Sequence, residues 1–114
     1  MARKKEMVKN ELIVLLGMRP VDLNDLGTLL WEYVWTIKRR RKKKVIFLDY
    51  FAIEARIDDG RHEIEIRNRA AHIVIFRLCS VPDIETGWYL MQKGPEKIEM
   101  EMMTERFREA LQKS

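Results

Sequence analysis

Apolar positions recur at steps of three and four in two stretches near the N-terminus. Between residues 5 and 16 they are Val8, Leu12, Leu15 and Leu16, with Lys and Glu filling the other side, which predicts a helix. Gly17, Arg19 and Pro20 stop it, and a short apolar strand at 12–16 is the alternative. From residue 22 to about 40 the stripe is Leu23, Leu26, Leu30, Val34 and Ile37, behind an Asp22 able to cap the first turn. Leu29, Trp31, Tyr33 and Trp35 widen it well beyond the roughly 100° of arc that a surface helix needs. This second helix is expected to be sandwiched between a sheet and another layer, or to meet a partner.

From Lys44 the period changes to two. Phe51, Ile53, Ala55 and Ile57 alternate with Ala52, Glu54, Arg56 and Asp58. Asp59-Gly60 then supplies a two-residue hairpin turn. Pairing across it sets Asp58 opposite Arg61, Ile57 opposite His62, Arg56 opposite Glu63, Ala55 opposite Ile64 and Ile53 opposite Ile66. One face becomes apolar. The other becomes a charge ladder in which Glu54 faces Glu65 and reaches Arg67 diagonally. Residues 72–79 are apolar on both faces and predict a central strand. Residues 87–92 predict another strand, and Thr104 opens a short terminal helix. Residues 96–103 alternate like a strand but also fit a helix from Pro95. The expected fold is a single α+β domain over residues 1–114. It has two N-terminal helices, an antiparallel sheet of four or five strands containing the Asp59-Gly60 hairpin, and a C-terminal helix.

Composition supports one folded core: 114 residues, 46% hydrophobic, with five Gly and three Pro. Charged residues make up 35% and amides are few, a balance that points to a thermophilic source. Cys79 is the single cysteine, which excludes an intrachain disulfide and a cysteine-rich metal site and makes a reducing, cytosolic compartment the expectation. No apolar run is long enough for a signal peptide or a membrane span.

Charge changes the picture at one place. The net charge is +4, yet Lys38, Arg39, Arg40, Arg41, Lys42, Lys43 and Lys44 stand in a row. Without those seven, fifteen basic residues face eighteen acidic ones, so the basicity is local. A local basic stripe reads as a polyanion site, and counterion release makes nucleic-acid phosphates, DNA or RNA, the expected ligand. Seven bases at the junction of a helix and a strand suit backbone contact better than base readout. Two or three cations would be enough merely to cap a helix C-terminus. A membrane surface is the weaker fit, because the bases cluster at one end of the Trp-rich helix instead of flanking its apolar side.

Trp31 and Trp35 lie one turn apart on the flank of that helix. They suggest that the nucleic-acid-binding chain is a homodimer with this helix as interface, and they also point to a second class of function, a protein-interaction or assembly module built on the same helix. The bland reading is that both pack into the core.

Enzymatic chemistry finds little support. His62 and His72 are the only histidines, no metal-binding spacing or glycine-rich loop occurs, and no cofactor is implied. Asp58, Asp59, Glu63, Glu65 and Arg67 resemble a nuclease hairpin only until Arg67, which cannot deprotonate to act as a base. The expected role is binding without catalysis.

Overall fold

The computed structural model describes residues 4–36, 42–70, 73–93 and 97–114. Two helices, α1 (Lys5–Leu16) and α2 (Leu23–Val34), precede five strands. These are β1 (Lys43–Leu48), β2 (Phe51–Asp58), β3 (Arg61–Asn68), β4 (Val74–Val81) and β5 (Glu85–Lys93). Helix α3 (Lys97–Lys113) closes the chain. The strands form one antiparallel meander in the order β1-β2-β3-β4-β5, so the fold is α+β with the helices gathered on the sheet.

The apolar stripe of α1 buries as expected: Val8, Leu12, Leu15 and Leu16 all lie in the core. Asp22 caps α2, its carboxylate accepting from the backbone N–H groups of Asn24 and Asp25 at 2.9 and 3.1 Å. The wide apolar arc of α2 is explained by packing on two sides, against α1 and against the sheet, chiefly β5. Gly27 makes the second contact possible, because a Cβ there would stand 2.2 Å from Trp88 Cγ. Asn24 fastens the same junction, its Oδ1 accepting from the Trp88 backbone N–H at 2.9 Å.

Helix α2 stops at Val34, well short of the expected residue 40. Tyr33, Val34, Trp35 and Thr36 are aromatic or β-branched and favour helix weakly. Trp35 leaves helical geometry at φ −98°, ψ 34°, and the Thr36 hydroxyl turns back to the Tyr33 carbonyl at 3.3 Å. At the other end of the chain, residues 97–103, which alternate like a strand, belong to α3. The stripe of Phe107, Ala110 and Leu111 buries that helix in the core, with Met103 packed against it.

The hairpin register is the one the turn dictates. Asp58 pairs with Arg61, Ile57 with His62, Arg56 with Glu63, Ala55 with Ile64 and Ile53 with Ile66. Asp59 and Gly60 both have positive φ, 47° and 76°, as a type I′ turn requires. Phe51, Ile53, Ala55, Ile64, Ile66, Phe76 and Leu78 face the helices and form the core with them. His62 stacks on Trp31 with ring centroids 4.3 Å apart and planes 7° from parallel, so it is a packing histidine. No described helix is long and apolar enough to cross a membrane.

Candidate nucleic-acid interface

The helices occupy one face of the sheet, and period two decides what the other face carries. From β1 it takes Lys43, Val45 and Phe47. From β2 it takes Ala52, Glu54, Arg56 and Asp58, and from β3 Arg61, Glu63, Glu65 and Arg67. Strands β4 and β5 add Arg77, Cys79 and Tyr89. Five cations thus meet four anions on one surface.

These charges are layered. Glu54, Glu63 and Glu65 are only 5, 5 and 7% exposed, although no apolar layer covers them. Long side chains lie over them. Arg56, Arg61, Arg67 and Arg77 keep 22–44% of their side chains exposed, and Lys43 keeps 62%. Their stems cover the sheet while their heads reach water.

Each of these three buried carboxylates is shared between cations. Glu54 lies 3.5 Å from Lys43 Nζ, 3.4 Å from Arg56 Nε and 3.5 Å from Arg67 Nη1. Glu63 is 3.4 Å from Arg56 and 3.5 Å from Arg61. Glu65 is 3.6 Å from Arg67 and 3.3 Å from Arg77. A tight charge-assisted hydrogen bond is about 2.7–2.9 Å, so these contacts neutralise the acids without saturating the guanidinium donors. Negative charge lies beneath and positive charge outside.

Aromatic rings flank this surface. Phe47 is 58% exposed, with the Arg69 guanidinium 4.4 Å from its centroid. Tyr89 is half exposed, and the Cys79 thiol donates to its hydroxyl at 3.5 Å. Cys79 itself is buried.

Of the seven-residue basic run, Lys38, Arg39, Arg40 and Arg41 lie outside the described residues. Lys42 precedes β1, and its carbonyl accepts from the Ile57 backbone N–H at 2.8 Å. Lys43 enters the charged face opposite Arg56, whereas Lys44 falls on the opposite face of the strand, opposite Ala55. Lys42 and Lys43 therefore lie at the corner of the sheet formed by the start of β1 and the end of β2.

Trp31 and Trp35 are not brought to this surface. They are 9 and 8% exposed, with ring centroids 5.7 Å apart, and Trp88 lies 5.7 Å from Trp31 on its other side. Trp31 packs against His62 and Trp88 of the chain's own sheet and Trp35 packs against Trp31, so the flank that suggested an interface belongs to the core. The reason is β5, whose Trp88 reaches α2 through the gap at Gly27.

The alternation in the sequence places Arg56, Arg67 and the three glutamates on one face as a charge ladder, without their burial. It misses Arg77 and Lys43 as members of the same grid. Those two join through the β3–β4 and β1–β2 registers, and bulges beside Arg67 and Arg77 obscure the phase of β4 and β5. Comparison with protein-family models, with curated proteins and with solved structures finds no match.

Proposed function

We propose that this chain binds nucleic acid through its phosphates, with residues 38–44 as the main contact and the charged sheet face as its continuation. The observation that carries the reading is the layered grid. Three buried carboxylates lie beneath an outer layer of guanidinium groups and partly neutralise it, and Lys43 joins the basic run to that layer. The face alone is close to charge balance, so the seven bases supply the long-range attraction. The arginines then offer forked donors to phosphate oxygens at short range. The role is binding without catalysis, because each buried carboxylate is occupied by guanidinium or ammonium partners.

The test is equilibrium binding of labelled DNA and RNA at low salt, beside vesicles of anionic lipid. The expected result is affinity in the micromolar range for both nucleic acids at every sequence tried, since phosphate contacts carry little base information. Binding to the vesicles but to neither nucleic acid would overturn the reading.

A further inference from the structure

A cavity of about 310 Å³ opens between the α1–α2 connection, the first half of α3 and the helix-side face of the sheet. Its floor is Phe51, Ile66, Ile75 and Phe76, and its walls include Leu26 and Phe107. All six are core side chains, at most 9% exposed. Native interiors hold few voids larger than a water molecule, and water is a poor occupant where the lining offers few polar partners. The space also has a way in, since Leu23 and Leu90 at its rim are 37 and 40% exposed. A volume just above 300 Å³ stands at the lower end of small-molecule pockets.

Size and charge narrow the ligand. A dry cavity of about 150 Å³ lined by Leu, Ile and Phe takes a benzene ring. Twice that volume takes two fused rings or a chain of roughly ten carbons. Arg19 is the one basic residue among the described residues lining the cavity, and its guanidinium is engaged. It donates to the Leu16 and Met18 carbonyls at 2.8 and 2.7 Å and to Glu105 Oε1 at 2.6 Å. Glu101 adds a carboxylate to the lining. A carboxylate-bearing ligand would therefore meet an acid and a spent cation. We infer that this cavity is a binding site for a small neutral apolar molecule of about two rings or ten carbons, separate from the charged face.

Isothermal titration calorimetry of the whole protein tests this with 2-naphthol, 1-decanol and decanoate. The expected result is saturable one-to-one binding of 2-naphthol, competed by decanol, with a negative heat-capacity change and with decanoate at least tenfold weaker than decanol. Leu90→Trp plugs the rim without touching the floor and should weaken 2-naphthol at least tenfold while circular dichroism stays native. Leu23→Trp does the same from the α2 side. Absence of saturable binding in the unmodified protein would overturn the inference. So would unchanged affinity in a folded plug variant, or decanoate binding as tightly as decanol.

Discussion

Gly27→Ala isolates the contact that decides how α2 sits on the sheet. Propensity alone favours the change, because Ala exceeds Gly by about 1 kcal/mol inside a helix. Geometry opposes it. The new Cβ would lie 2.2, 2.5 and 2.6 Å from Cγ, Cδ2 and Cβ of Trp88, whereas ordinary contact begins at 3.4 Å. The indole cannot slide away cheaply. Its backbone N–H is bonded to Asn24, and its ring packs beside Trp31. Overpacking costs about 1–3 kcal/mol, and a required shift of roughly 1 Å places this site at the upper end. The net expectation is a loss of about 2 kcal/mol, or roughly 8 °C in Tm for a domain of this size. Thermal unfolding followed by circular dichroism reads it. In a Trp88→Ala background Cγ and Cδ2 are gone and only the Cβ contact at 2.6 Å remains, so the same substitution should cost clearly less than in the parent. A Gly27→Ala protein as stable as the parent would refute the close approach of α2 and β5.

Other consequences are as direct. Trp35→Glu places a charge at a site 8% exposed and should abolish the folded far-ultraviolet signal, at a cost above about 4 kcal/mol; a folded variant would contradict the place of Trp35 in the core. Glu54→Gln removes the anion shared by Lys43, Arg56 and Arg67, so the urea midpoint should fall by the equivalent of about 1–3 kcal/mol while nucleic-acid affinity rises. A loss of both would mean that Glu54 holds the binding surface together instead of merely neutralising it. Burial holds the Tyr33 phenol above its ordinary value of 10.0, against the opposing Ser114 hydrogen bond and the Lys9 charge. The folded state thus keeps a proton that the unfolded chain releases. That contribution is complete below about pH 10 and is lost as pH rises through the folded pKa, so Tyr33→Phe should lose less stability than the parent between about pH 9 and 11 in urea titrations.

The hairpin was readable because two independent signals coincide there: Asp59-Gly60 fixes the turn, and alternation fixes which side chains share a face. Helix α1 was equally plain, since its stripe and its stop signals agree. The end of α2 was not, because apolar periodicity continues through Val34 toward Ile37 while backbone propensity has already failed at Tyr33. Trp31 and Trp35 misled for a related reason. Trp31 is covered by His62 and by Trp88, more than thirty and fifty residues away in sequence, and only the absence of a Cβ at Gly27 lets Trp88 arrive. The charge grid was half legible. Alternation within the hairpin exposes Arg56, Glu63 and Glu65 together, but Arg77 and Lys43 join through strand pairings that bulges and a second turn set. That these acids are buried beneath the arginines follows from side-chain stems lying across the sheet, which no linear pattern encodes.

The most direct test of phosphate binding is the salt slope of nucleic-acid affinity. Fluorescence anisotropy of a labelled strand should give log K falling linearly with log salt, by about 0.7–0.9 for each phosphate neutralised. Replacing Arg39, Arg40, Arg41 and Lys42 by Ser should weaken binding at every sequence alike and shrink the slope by up to about three. No binding at the lowest salt, or a variant with the parent's slope and affinity, would contradict the proposed role of residues 38–44.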